Sequence, residues 1–302
     1  MALDLNFIKK FEDNFTRNVN LSNYSWFNLG GSAEYFYKAK DEKQLIEFLR
    51  EAKKKNLKTT ILGAGSNTLF RDNGVKGAVV KLGNEFSYTK LVNTNIIDVG
   101  ASTLDRKVAN FARENNLGNL EFLSCIPGSI GGAIIMNSVC YEDDISKVLL
   151  SVQAIDKKNL SEIEIKRKDI NFSYRGNNLP DHLIIISAKL RGSTSKKVDI
   201  EKKQHDLLER KKLSQPSQIK TCGSTFKNVS EEKKAWMLIK EAGCEDYREG
   251  DAIISQKHCN FFVNKGNAKS SDIENLINKV KKKVQEKTGI DLELEIKIVG
   301  EK

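Results

Sequence analysis

The sequence is poor in the residues that usually staple or ligate: its 302 residues include only 3 His, 5 Cys and 3 Pro. The cysteines (Cys125, Cys140, Cys222, Cys244 and Cys259) contain no C-x-x-C pair. Neither a metal site nor a disulfide framework is therefore expected, and reduced thiols fit a cytoplasmic protein. No uninterrupted apolar run approaches the roughly 18 residues that a membrane helix needs. The opening segment, MALDLNFIKKFEDNF, mixes acids with apolar residues and lacks a signal-peptide core with a small-residue cleavage site. Internal repeats and low-complexity linkers are absent as well.

What is present is a chain long enough for one large or two ordinary domains, and apolar enough to bury a core unaided. Fifty Lys and Arg against forty Asp and Glu leave a charge of +10. Such an excess suits nucleic acid, an anionic membrane or small phosphorylated ligands. The cations are dispersed, however. From residue 265 to 302 nine Lys face seven acids, so Lys281 to Lys283 read as a solvated helix face rather than a nucleic-acid groove.

Hydrophobic periodicity predicts a mixed α/β first part. Leu45, Phe48, Leu49 and Ala52 share one face of a helix over 41–55. Strands follow over 59–62, 78–82 and 96–99, then a helix over 104–115. Further strands are expected over 149–155 and 183–190, and a charged connecting helix over 198–212. A domain boundary is placed near residue 200, giving 1–200 and 201–302. In the second part, helices are expected over 231–242 and 272–287, with strands over 258–264 and 292–299. Adjacent strand residues point to opposite faces, which argues against a His258–Cys259 pair. Glu293 and Glu295 would share one face.

Two glycine-rich segments could carry chemistry. Gly63-Ala64-Gly65-Ser66-Asn67 follows a strand, where backbone N–H groups could approach a phosphate. Thr68 stands where a complete G-x-G-x-x-G would need Gly, and no G-K-[ST] follows, so a plain strand-exit turn remains open. The second segment is Ile126-Pro127-Gly128-Ser129-Ile130-Gly131-Gly132-Ala133. Its low bulk suits either a ligand at a helix start or a tight crossing of small residues, and the pair of loops favours the ligand. Ser224, in Cys222-Gly223-Ser224-Thr225-Phe226, lies outside any G-x-S-x-G elbow and reads equally as a turn hydroxyl. Arg175, after Tyr174, could pair a carboxylate or phosphate, or simply lie at the surface.

In order, Asn28 to Ala33, Leu62 to Asn67, Ile126 to Asn137, Ser173-Tyr174-Arg175, Gly223 to Asn228, His258-Cys259-Asn260-Phe261 and Leu294-Glu295 to Glu301 resemble one family. That family is the UDP-N-acetylenolpyruvoylglucosamine reductases (MurB), in their short form. The match runs from about residue 20 to the C-terminus, and seven weak motifs in register are specific together. Two places depart from the family pattern: Ser138-Val139-Cys140-Tyr141-Glu142, where small residues with Gly flanking Tyr are more usual, and Val229, where Pro is.

The resemblance implies an α+β fold. An FAD-binding domain of the PCMH or vanillyl-alcohol-oxidase type, made of two α/β subdomains, would precede a smaller α/β substrate domain. Its last strand, 291–300, would return to the active site. Gly63, Ala64, Gly65, Ser66, Asn67, Pro127, Gly128, Ser129, Gly131, Gly132 and Ala133 would hold FAD without a covalent bond. NADPH would reduce the flavin, which passes hydride to C3 of the enolpyruvyl ether. Arg175 and a protonated Glu295 would stabilise the charge, and Ser224 would give C2 its proton. Tyr174 would contact substrate, and Lys227, Asn228, His258 and Asn260 would contact its phosphate or sugar groups or shape that pocket. The product is UDP-N-acetylmuramate, made by a monomer without nucleic acid or membrane. A covalent-flavin oxidase is disfavoured, since no His precedes His182 and no Cys lies near Gly63. A silent FAD or nucleotide-sugar binder is disfavoured by the intact Ser224, Arg175 and Glu295.

Overall fold

The computed structural model describes residues 3–302, so Met1 and Ala2 of the segment read above for a leader lie outside the described residues. The chain forms two compact units. One contains the residues up to Thr16, Tyr35–Ala64 and Gly77–Lys211; the other contains Arg17–Glu34, Gly65–Lys76 and Lys212–Lys302. The division is not a single cut near residue 200. Phe27, Leu29 and Leu69 belong to the same core as Phe226, Phe262, Ile273 and Leu292, which draws two early segments into the second unit. The helix bridging the expected boundary runs unbroken over Lys197–Ser214.

In the first unit the Glu42–Lys54 helix forms as its periodicity dictates. Asp41 caps it by accepting from the Gln44 N–H at 2.8 Å, and Leu45, Phe48, Leu49 and Ala52 are buried. Its buried face meets an aromatic cluster. Phe48 stacks on Tyr37 with ring centroids 3.9 Å apart and meets Phe7 and Phe11 at their edges. The strands around it run Phe15–Asn20, Ser32–Ala39, Val75–Leu82 and Thr59–Leu62, the last two parallel.

A five-stranded antiparallel sheet completes this unit, in the order Glu162–Lys166, Leu149–Asp156, Leu183–Arg191, Ile96–Gly100 and Thr89–Asn93. Its Ile96–Gly100 strand positions the second glycine segment. The Ile130–Met136 helix docks where that strand ends, with the Gly131 N–H donating to Ala101 O at 2.9 Å.

The second unit packs the Ala235–Glu241 and Ser270–Thr288 helices with a small sheet of Arg248–Glu249, Ala252–Ile254 and Phe262–Asn264. Three expectations shift here. The 231–242 helix starts later, because the Lys233 carbonyl accepts from Val229 and Ser230 in a turn, and Asn228 Oδ1 caps Ala235 N–H at 3.0 Å. The 258–264 strand shortens to Phe262–Asn264, since His258 N–H donates to Ser255 O and Phe261 N–H to His258 O. The 292–299 strand shortens to Lys297–Val299, which pairs in parallel with Thr68–Phe70. Among the described residues no helix is long and apolar enough to cross a membrane, and no group of three His, Cys, Asp or Glu could hold a metal ion.

Phe48 is fully buried at the centre of the aromatic cluster. Replacing it with Ala is expected to cost about 3–5 kcal/mol, read as a lowered urea midpoint. A change below about 1 kcal/mol would show that the cluster relaxes around the cavity.

Candidate active site

In the first unit Gly63, which opens the first glycine loop, meets the second loop, whereas Gly65 to Asn67 belong to the second unit. An added Cβ on Gly63 would lie 3.4 Å from Ser129 Oγ, and one on Gly132 would lie 3.8 Å from the same atom, with nothing else within 4 Å. These positions form a strip without side chains on which a ligand backbone could rest. Lys81 adds a cation by donating to Gly63 O at 2.6 Å. Burial, with Lys38 nearby, holds the Lys81 ammonium below its usual range, so an arriving anion would relieve that cost. The arrangement fits an anionic pyrophosphate.

Not every glycine here faces a ligand. Gly131 is a packing residue: a Cβ would stand 3.2 Å from both Cβ and O of Ala101. The N–H groups of Ile130 and Gly131 are already given to Thr103 O and Ala101 O. The anion reading of this helix start therefore loses its first two donors, and the small-residue crossing accounts for Gly131. Gly128 O accepts from the N–H of Asp105, whose carboxyl is pushed well above its usual range by complete burial. In the first loop, Gly65 has φ +71°, and an added Cβ would lie 1.8 Å from Tyr24 O. That position requires glycine for the approach of the 24–26 segment, whose Trp26 N–H donates to Gly65 O.

Arg175 occupies a two-residue turn between the short strands Phe172–Ser173 and Gly176–Asn177. It has φ +58°, a left-handed conformation that is strained for a long side chain. Its guanidinium lies 5.2 Å from the centroid of the half-exposed Tyr174 ring. Two asparagines tie this turn to the glycine segment. Asn137, left-handed at the end of the Ile130–Met136 helix, donates to Ser173 O at 3.1 Å, and Asn177 donates to Ile134 O at 2.9 Å. Such strain, held by surrounding bonds, is characteristic of functional positions.

The second unit gathers Glu295, Asn67, Asn260 and the backbone of Thr225 and Phe226 into one hydrogen-bonded cluster, which Ser224 directly precedes in the chain. Asn260 is buried, and its amide grips Phe226 twice: Oδ1 accepts from Phe226 N–H at 3.0 Å and Nδ2 donates to Phe226 O at 2.9 Å. Asn260 O accepts from Thr225 N–H, and Thr225 O accepts from Glu295 N–H, both at 2.8 Å. Asn67 Nδ2 donates to Glu295 O at 3.0 Å. Ser224 and Glu295, both half-buried, are thus tied through the backbone of Thr225.

Lys227 and His258 have partners of their own within the second unit. Lys227 Nζ meets the exposed Glu293 at 3.2 Å, so Glu293 and Glu295 have different surroundings rather than a common exposed strand face. The His258 ring accepts from Asn260 N–H at Nδ1 (3.3 Å), and burial lowers its pKa. Cys259 donates instead to Trp236 O at 3.0 Å, which separates it chemically from His258 although no strand runs through them. Sequence reasoning missed Lys81, Asn137 and Asn177. Asn137 carried a readable signal, an Asn just past a helix end where a left-handed residue is favoured. Lys81 carried none.

Residues 33–159 match the family model described as an FAD binding domain, and residues 215–299 match that of the UDP-N-acetylenolpyruvoylglucosamine reductase C-terminal domain. The protein is thus an FAD-binding oxidoreductase with an α+β, PCMH-type fold. It is 43% identical over 298 residues to the UDP-N-acetylenolpyruvoylglucosamine reductase of Pelagibacter ubique (strain HTCC1062), covering 97% of this chain and 98% of that protein. It is 44% identical over 298 residues to the reductase of Orientia tsutsugamushi (strain Ikeda), covering 98% and 97%. The crystal structure of UDP-N-acetylenolpyruvylglucosamine reductase (MurB) from Thermus caldophilus superposes with a TM-score of 0.81 at 30% identity, over 94% of this chain and 97% of that one. The chain belongs to the UDP-N-acetylenolpyruvoylglucosamine reductase family.

Two substitutions test this geometry. Asn260→Ala leaves two buried backbone groups of Phe226 without partners and is expected to cost about 2–4 kcal/mol in denaturant unfolding; a neutral result would mean that the grip on Phe226 is idle. Arg175→Gly removes a Cβ from a left-handed site and should raise stability by about 1 kcal/mol. Turnover should be lost in the same variant. A loss of stability would show that the turn is not strained.

Proposed function

We propose that the protein reduces UDP-N-acetyl-enolpyruvylglucosamine to UDP-N-acetylmuramate for peptidoglycan synthesis, with NADPH as reductant, as a cytoplasmic monomer. The observation that carries this reading is the cluster tying Ser224 to Glu295 through Thr225, within a chain that aligns over nearly its whole length with named reductases. Gly63 and Gly132 leave the side-chain-free strip for FAD on either side of the Ser129 hydroxyl, and Lys81 stands beside it as a countercharge. Ala64, Ser66, Pro127, Gly128 and Ala133 complete the two loops, while Gly65 and Gly131 shape them. Bound FAD supplies the chemistry of taking hydride from NADPH and passing it to C3 of the enolpyruvyl group.

The chain's own residues then handle charge and proton. Reduction at C3 pushes electrons toward the substrate carboxylate, and Arg175 neutralises it by a charge-assisted, two-pronged pair. Glu295, in its protonated form, shares a hydrogen bond with the same developing charge. The Ser224 hydroxyl delivers its proton to C2. A hydroxyl is a weak acid in water, but a carbanion-like C2 is basic enough to accept from a donor held in place. Asn260 and Glu295 hold the backbone of Thr225 and Phe226 directly after that donor. Tyr174, Lys227, Asn228 and His258 are assigned to contacts with the nucleotide-sugar, and the net charge of +10 favours arrival of polyanionic ligands.

Purified protein is expected to be yellow and to oxidise NADPH only when the enolpyruvyl sugar is added. A colourless preparation that releases no flavin on denaturation would sink the reading. Ser224→Ala should leave flavin reduction by NADPH intact while slowing reoxidation by substrate about 10²–10⁴-fold. Equal slowing of both steps would remove Ser224 from the donor role.

A further inference from the structure

One pair of reactive groups in the first unit is not used by the proposed reaction. Cys125 ends the short helical segment Glu121–Cys125, directly before Ile126-Pro127, and Cys140 follows Asn137 by three residues. The pair therefore brackets the segment that carries the second glycine loop. The Val139–Cys140 strand packs against the Glu121–Cys125 segment, which brings the two thiols into each other's neighbourhood. Cys125 is buried; Cys140 is half-buried and leaves the pair open at one edge. Lys211 lies beside both, its ammonium donating to Cys125 O at 2.5 Å, and Arg210 sits over the neighbouring Tyr141 ring. The remaining three cysteines, Cys222, Cys244 and Cys259, belong to the other unit.

We propose that Cys125 and Cys140 form a hydroperoxide-reactive dithiol, and that its reversible disulfide staples the two ends of the segment over 126–139. The chemistry balances without a further reductant. The Cys125 thiolate attacks one peroxide oxygen, the O–O bond breaks, and the departing hydroxide takes up a proton to become water. Cys140 sulfur then attacks the resulting sulfenic sulfur. The S–O bond breaks, the S–S bond forms, and the second hydroxide leaves as water with the thiol's proton. Two thiols lose two electrons and two protons; one hydrogen peroxide becomes two waters.

The electrostatics agree with this order of events. The neighbouring Cys140 thiol, aided by the Ser124 hydroxyl 3.8 Å away and by the Lys211 cation, holds the Cys125 thiol below its usual range, while Cys140 is raised by its partner and by burial. In contrast, burial pushes Cys222 and Cys259 up to about 11. Lys211 itself is held low by burial, and the two sulfurs counter that effect.

The test uses the full-length, FAD-loaded protein, reduced, freed of reductant and exposed to hydrogen peroxide. The expected result is a fall of about two mass units, one cross-linked peptide joining residues 125 and 140, and return of both thiols with dithiothreitol. In Cys140→Ser the disulfide should be absent, and dimedone should trap Cys125 as its sulfenic acid. Alkylation of both Cys125 and Cys140 after peroxide treatment would overturn the proposal, as would a disulfide joining either of them to another cysteine. Because peptide mapping of the unmutated protein decides the matter, a variant that fails to fold does not weaken the test.

Discussion

The candidate chemistry depends on one constraint: the backbone at Thr225 and Phe226 is held from two sides. Asn260 satisfies both polar groups of Phe226 with one amide, as a neighbouring strand would, and Thr225 O takes the N–H of Glu295. Asn67 closes the set by donating to Glu295 O. Because these bonds lie among buried groups, breaking one leaves an unpaired donor or acceptor, which makes the arrangement stiff. A serine donor benefits from stiffness more than from acidity, since its task is to be in place when C2 becomes basic. Of the two roles expected for Asn260, direct contact or shaping of the pocket, the same logic favours the second, since its side chain is spent on Phe226.

The first unit applies a different device. Side chains are absent where the flavin phosphates are expected to lie, at Gly63 and Gly132, while Lys81 supplies positive charge from the adjacent strand. Arg175 is placed by strain rather than by packing. Its left-handed turn is kept closed by Asn137 and Asn177, which also fix the end of the glycine segment. The second glycine segment and the Arg175 turn thereby share supports, so a change at Asn137 would be felt by both. The thiols of Cys125 and Cys140 flank that same segment.

Long periodic elements were legible in the sequence. The helices over 42–54, 105–114 and 270–288 fall where apolar spacing places them, as do the strands over 149–156 and 183–191. The errors concentrate in the second unit, where irregular backbone does the work. Leu292 to Val299 alternates like a strand, yet most of it pairs through single bonds to Thr225 and Lys227 instead of a ladder. Periodicity reports burial, and burial does not reveal which backbone groups are partners. The split into two units was hidden for a similar reason: Phe27 and Leu69 are apolar residues in early loops, and nothing local tells that they fill a core built mainly after residue 212. At the site, motif order identified Ser224, Arg175 and Glu295 as candidates, whereas the supporting roles of Lys81, Asn177 and Asn260 arise only from tertiary hydrogen bonds.

The central claim is that Ser224 is held as the proton donor to C2. A crystal structure of the FAD-loaded protein with the enolpyruvyl sugar bound tests it most directly. The account predicts Ser224 Oγ within about 3.5 Å of C2, with both Asn260 bonds to Phe226 intact. It is contradicted if the Ser224 hydroxyl points away from C2 and another proton-bearing group occupies that place.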